Sequence, residues 1–293
     1  MAGRIVSLVT FFDPNSTTAN NVRAIAAQSD STIVMDNSRS DNSRLFGSRP
    51  EDEKIRYIAN GSNLGLSTAF NTCLTDSRHF AWNADDYVVF FDQDTHIEPN
   101  HIAALIEEFD TLNRLGYKVG CIGPAYYETN AQKTRIPKLR KEVSPTSMLV
   151  EKVITSSMLT TYENLQSVGF WSGDIFLDMA DYDLCWKMAD RGYVIALTTR
   201  SVIVHEIGES ASGVLAHNIS QSKPFREYYQ MRDRLYLLRK PYVPLASKAV
   251  LLYEATIQAG LRLATSADRA ERLRYMRLGA KHFRRGIHDP LDD

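Results

Sequence analysis

The chain has 293 residues, 44% of them hydrophobic and 24% charged, with a formal net charge of −1, which suits a globular core of one large domain or a domain with an appendage. No apolar run is long enough to span a bilayer and the N-terminus shows no signal-peptide cleavage pattern, so a cytoplasmic location is expected. The three cysteines, Cys73, Cys121 and Cys185, are widely spaced, which argues against a disulfide framework or a zinc site.

The charge is unevenly placed. Residues 1–238 carry 23 Lys/Arg against 29 Asp/Glu, whereas residues 239–285 carry 11 against 3, a balance of +8. An acidic body with a basic C-terminal region follows.

Ile5 to Phe12, Thr32 to Met35 and Ile55 to Ala59 read as short strands separated by helix-compatible polar stretches, the alternation of βαβ units in a parallel sheet. Asn63 and Gly65 introduce a predicted helix, Leu66 to Leu74, with Leu66, Phe70, Cys73 and Leu74 on one face. Tyr87 to Phe91 is a continuous run of apolar β-formers, the pattern of a strand covered on both faces, and it ends in Asp92-Gln93-Asp94. Ligands of open α/β sheets bind outside the carboxyl ends of strands, so Asp-x-Asp here suits a divalent cation facing a diphosphate; such carboxylates also simply cap turns. A helix from Pro99 to Leu115 is expected next, with Pro99 in its first turn.

Val119 to Tyr127 reads as a strand, Asn130 to Pro145 as a polar surface loop, and Lys152 to Thr160 as a further strand. A short helix, Tyr162 to Val168, is closed by Gly169, and a helix from Asp181 to Arg191 by Gly192. A strand pair, Tyr193 to Leu197 and Val202 to His205, precedes two amphipathic helices. In the first, Phe225, Tyr229, Arg232, Leu235 and Tyr236 share a face; in the second, Leu273, Met276, Ala280, Phe283 and Ile287 do.

Asp36 closes the second strand, where its carboxylate either accepts hydrogen bonds from a base or ribose or forms an Asp-Asn turn. Trp171, in a Gly-rich loop, is either core or a stacking platform for a sugar ring. His205 is either a packed residue or a ligand. Asp181 either caps its helix or serves as a base, its ionised form favoured by the helix N-terminus.

In order, Asp36-Asn37-Ser38, Asn63-Leu64-Gly65-Leu66-Ser67, Phe91-Asp92-Gln93-Asp94 and Asp181-Tyr182-Asp183-Leu184-Cys185-Trp186-Lys187 resemble glycosyltransferase family 2, the inverting GT-A fold enzymes. FFDQDT, with Tyr228-Tyr229-Gln230-Met231-Arg232-Asp233, is most similar to the bacterial rhamnosyltransferase branch. The resemblance implies a mostly parallel sheet flanked by helices over residues 1–215, followed by a helical region, 216–293. It implies donor-nucleotide contacts at Thr10, Asp36, Asn63, Gly65 and Asp92, and Mg²⁺ or Mn²⁺ held by Asp92 and Asp94, with His205 of the His205-Glu206-Ile207-Gly208 segment assisting. Asp181 takes the role of catalytic base, Asp183 replaces the family's usual Glu, and Trp171, Asp174 and Asp183 fall on the acceptor side. Ser156-Ser157 stands where relatives carry Ser-Gly.

The implied partners are a nucleotide-sugar donor, dTDP-rhamnose or a UDP-sugar, and a saccharide or lipid-linked saccharide acceptor of a bacterial surface glycan. The basic region is either a solvated helical face or a contact for anionic membrane on the inner face of the cell membrane. Nucleic acid is not expected, because the body is acidic and carries no recognition motif. Two rivals stand beside this reading. A sugar nucleotidyltransferase should carry a Gly-rich phosphate loop after the first strand, and Thr10-Phe11-Phe12-Asp13-Pro14 has no Gly; a non-catalytic glycan-binding protein would have no need of the carboxylates.

Overall fold

The computed structural model describes residues 3–47, 49–128, 133–135, 137, 139–205 and 223–291, with backbone alone at 127–128, 133–135 and 204–205. Its first half alternates as the sequence predicts: β1 (Ile5–Phe11), α1 (Ser16–Ala26), β2 (Ser31–Asp36), β3 (Ile55–Ala59), α2 (Leu66–Thr75), β4 (Tyr87–Asp92) and α3 (His101–Arg114). Pro99 precedes α3 rather than opening it, because Asn100 is left-handed (φ 63°) and the helix begins at His101.

The second half departs further from expectation. β5 (Val119–Glu128) is followed by two short strands, β6 (Lys133–Arg135) and β7 (Leu139–Glu142), where a loop was expected. β7 is exposed along its length, and charged side chains are the usual composition of a sheet edge. Of the stretch expected as one strand, Lys152 to Thr160, only the end is strand, β9 (Met158–Thr161); an irregular link at 151–157 separates it from β8 (Ser147–Val150), a strand that was not expected. α4 (Tyr162–Val168) and α5 (Ala180–Asp190) match the prediction closely, whereas the expected strand pair is one bulged strand, β10 (Val194–His205).

Among the described residues the ten strands form one sheet ordered β3-β2-β1-β4-β9-β5-β10-β8-β7, with β6 on β5. β1, β2, β3 and β4 are mutually parallel, while β9 runs antiparallel to both β4 and β5. Alternate side chains feed opposite layers. Val89 and Phe91 pack with α1 and α3, whereas Val88 and Phe90 pack with α2, α4 and α5. That parity sends Asp92 toward the α5 side.

The chain closes with α6 (Arg226–Arg239), α7 (Leu245–Tyr253), one π-helical turn (Glu254–Gln258), α8 (Ala259–Thr265) and α9 (Arg269–Arg285). Tyr236 and Leu237 of α6, Val243 just before α7 and Leu251 within it join the same core as α2 and α5, so the helical region is packed onto the sheet body. The expected boundary near residue 215 lies outside the described residues. α9 turns its apolar stripe onto α6: Met276 is buried, Phe283 meets Tyr236 at 5.1 Å, and a Cβ on Gly279 would stand 2.4 Å from the Tyr228 carbonyl oxygen. Only glycine permits that helix approach.

Candidate active site

The parallel register places Thr10 of β1 opposite both Met35 and Asp92, and Phe11 opposite Asp36. Asp36 and Asp92 therefore both stand at the carboxyl edge, one on either side of β1 and one residue out of step, about 10 Å apart from two strand spacings. The exits are tied together. Gln93 accepts from the Phe12 N–H (2.8 Å) and donates to the Phe12 carbonyl (3.1 Å), and the Asp13 N–H reaches Ser38 Oγ at 2.8 Å. The middle residue of the Asp-x-Asp is thus the clamp joining β1 to β4, a role its spacing alone does not reveal.

Asp36 does not open into the crevice as expected. It is fully buried, accepting from the Ser38 N–H (2.8 Å), Tyr57 OH (2.5 Å) and Asn42 Nδ2 (2.9 Å). A donor base could reach its carboxylate only by displacing Asn42 or Tyr57, so the turn-forming alternative describes its contacts. Asn63 and Gly65 form a tight turn beside it. Asn63 Oδ1 accepts from the Gly65 N–H (3.0 Å), Gly65 is left-handed (φ 76°), and its carbonyl accepts from Asn37 Nδ2 (3.2 Å) next to Asp36.

At the β4 exit Asp92 is half-buried and Asp94 exposed. Ser156 Oγ donates to Asp92 Oδ2. Ser157, beside it, is left-handed (φ 67°), the conformation a glycine adopts freely, which accounts for Ser-Gly being the pattern it resembles. It is held by its N–H to the Phe90 carbonyl (2.7 Å) and by its hydroxyl to His101, whose other ring nitrogen meets Ser201. Burial lowers the His101 pKa to about 4, so the imidazole is neutral at physiological pH.

The same link reaches the second acidic centre. Asp181 sits in the first turn of α5 and accepts from the Tyr182 N–H (2.8 Å), while the backbone of Thr155 also bonds it. It does not cap the helix, because the N-cap is the left-handed Met179 with no side-chain bond. Burial raises its pKa to about 7, the nearby Asp92 adds to the rise, and Lys152 opposes it. The expectation that the helix N-terminus keeps Asp181 ionised is therefore corrected: desolvation outweighs that field in the ligand-free protein. Lys152 lies 3.5 Å over the Tyr182 ring; as an isolated Lys at a predicted strand start it gives no sequence signal.

The expected acceptor residues separate. Trp171 is core: 2% exposed, it packs on Phe70 (5.2 Å) and Phe90 (5.0 Å), and its backbone pairs twice with Asn71. Asp183 is fully buried and accepts from Tyr242 OH at 2.7 Å, which makes it a brace to the C-terminal region rather than an exposed sugar contact. Asp174 is half-buried and ion-paired to Lys240 at 2.6 Å.

Tyr228 to Asp233 also finds its use. Asp233 Oδ2 accepts from the Phe176 N–H (3.0 Å), and the Phe176 carbonyl accepts from the Leu66 N–H (2.7 Å) directly beside Gly65. Arg232 ion-pairs with Asp233 (3.2 Å) and donates to the His288 and Asp289 carbonyls. Helix α6 thereby fixes the Asn63–Gly65 turn from behind.

The donor set suits a hard divalent cation, since Asp92 and Asp94 supply carboxylate oxygens at one strand exit. Among the described residues no cluster of three His, Cys, Asp or Glu forms, and the side chain of His205 lies outside them.

Residues 8–166 match the family model described as Glycosyl transferase family 2. The chain belongs to that family. It is 24% identical over 298 residues to dTDP-rhamnosyl transferase RfbF of Shigella flexneri, covering 98% of this chain and 97% of that protein. Its fold is also that of a solved structure titled "Crystal structure of GalNAc-T7 with UDP, GalNAc and Mn2+", at 9% identity and a TM-score of 0.52 over 86% of this chain. This chain spans 55% of that structure's length. The family 2 chain is thus a glycosyltransferase with the GT-A arrangement of sheet and flanking helices, as its motifs led one to expect.

Proposed function

We propose that this family 2 enzyme transfers rhamnose from dTDP-rhamnose, with inversion, to a hydroxyl of a saccharide or lipid-linked saccharide destined for the bacterial surface, and that it does so in the cytoplasm. The observation that carries the reading is the nearness of Asp92 to Asp181, the two being joined through the Thr155-Ser156 link. Full-length similarity to a dTDP-rhamnosyl transferase supports the choice of donor.

Asp92 and Asp94 would hold Mg²⁺ or Mn²⁺, with His205 completing the set. A bound cation would supply positive charge against the departing diphosphate. Asp181 takes the acceptor hydroxyl proton; the oxygen bonds to the anomeric carbon from the face opposite the diphosphate, and the carbon–oxygen bond to phosphate breaks, its electrons leaving with the dTDP. A carboxylate whose pKa is about 7 is a stronger base than an ordinary Asp yet is still substantially ionised near neutrality. Lys152 favours its charged form. The Asn63–Gly65 turn and Thr10 line the donor side.

Asp181→Asn should lower transfer by about 10²-fold or more, the usual contribution of general base catalysis, while leaving calorimetric donor affinity within about twofold of the parent. Transfer retained at the parent rate contradicts the base assignment. Loss of donor binding along with transfer would show a binding role for Asp181 instead.

A further inference from the structure

The stretch from Leu245 to Thr265 presents an unusual outer face. Leu251, Ala255 and Ala259 turn inward, while Leu245 (83% exposed), Val250, Leu252, Tyr253, Ile257 (58%) and Leu261 stand in solvent. The three charged residues of the stretch do not interrupt that face. Lys248 is half-buried, Glu254 pairs with Arg234 at 3.2 Å, and Arg262 is buried against Glu227 at 3.2 Å. Six large apolar side chains on one helical face form the kind of contiguous patch that soluble proteins keep for a partner.

The neighbouring helix indicates which partner. α9 packs against α8 and α6, and having turned its own apolar stripe inward it exposes Arg269, Arg274, Arg277, Lys281, Arg284 and Arg285. An apolar face beside a row of exposed cations is the signature of a surface that sinks into the headgroup boundary of an anionic bilayer. A second copy of the chain fits less well: two-fold pairing of the face would bring two sets of α9 cations toward each other.

We propose that the outer face of α7, the π-helical turn and α8 is a docking surface for a bilayer containing anionic phospholipid, with the α9 arginines supplying the electrostatic part. The α9 stripe itself is turned inward onto α6 and is no part of this surface. None of the six anchoring side chains is among the residues that bond to Asp92 or Asp181, so the inference goes beyond sugar transfer and stands whichever sugar is moved.

Flotation of the full chain with phosphatidylcholine vesicles, with and without phosphatidylglycerol, tests it. Leu252→Gln/Ile257→Gln alters only exposed positions, and its melting temperature and donor affinity serve as the check on folding. The parent should float with phosphatidylglycerol vesicles and be released by salt, and the double variant should bind at least about tenfold more weakly. The proposal is overturned if the parent ignores phosphatidylglycerol vesicles, or if the double variant floats as well as the parent. It is equally overturned if sedimentation shows a parent dimer that the double variant converts to monomer while neither floats.

Discussion

Replacing Asp181 by Asn should make the ligand-free protein more stable, and by an amount that depends on pH. Folding raises the Asp181 pKa from the ordinary 3.8 to about 7, chiefly through desolvation. A carboxyl raised in this way favours the folded state most when both states are protonated, below about pH 4, and that advantage disappears as pH climbs through about 7. At 1.36 kcal/mol per pH unit the ionised group costs the parent up to about 4 kcal/mol above pH 7. The Asn variant, isosteric and neutral, escapes that cost but leaves Lys152 with one fewer counter-charge, so the net gain expected above pH 7 is about 2–4 kcal/mol. Urea denaturation of parent and variant across pH, in chelator and without donor, measures it. The gap should be near zero at about pH 4, widen toward 7 and then level off. An Asn variant equal to the parent at every pH, or less stable than it above pH 7, would refute the desolvated carboxyl and with it the argument for Asp181 as a tuned base.

Other residues give sharper or simpler readouts. Lys152→Met should move the acid limb of the kcat/KM profile up by about one pH unit, with Lys152→Arg restoring it; an unmoved limb would separate Lys152 from Asp181. Gly65→Ala forces a Cβ to within 2.5 Å of the Phe176 carbonyl oxygen at a left-handed position, and should cost about 2–4 kcal/mol in urea denaturation together with weaker donor binding; a parent-like midpoint would mean the turn is not fixed as described. Asp233→Ala strips the acceptor from the Phe176 N–H and unpairs the buried Arg232, for an expected loss of about 2–4 kcal/mol. Undiminished stability there would show that α6 does not brace the Asn63–Gly65 turn.

The parts of this molecule legible in its sequence are those set by local pattern. The run Tyr87 to Phe91 announces a doubly covered strand, and the positions of Asp92 and Asp94 follow from where that run stops. The lone glycines at 169 and 192 mark helix ends by their left-handed backbones. What escaped depends on partners far away in the chain. Asp36 is filled by Tyr57, 21 residues on, and Trp171 is anchored by Asn71, 100 residues back, so neither burial is visible in its own neighbourhood. From Lys152 on, the link reads as strand because Val153 and Ile154 are apolar and lead into Met158 of β9. Its left-handed Ser157, pinned by His101, breaks that strand and delivers Ser156 and Thr155 to the two acidic centres. In β10 a bulge between Thr198 and Val202 shifts the register, so a single strand presents two separate alternations.

The proposed reaction needs a donor held through the Asp-x-Asp at the β4 exit. Calorimetric titration of dTDP-rhamnose into the full chain, once with Mn²⁺ and once with chelator, and again with Asp94→Asn, addresses it most directly. The expected result is binding that requires the metal and is lost in the variant. Equal binding in chelator would contradict the metal-holding role of Asp94, and no binding to folded protein under either condition would contradict the proposed donor.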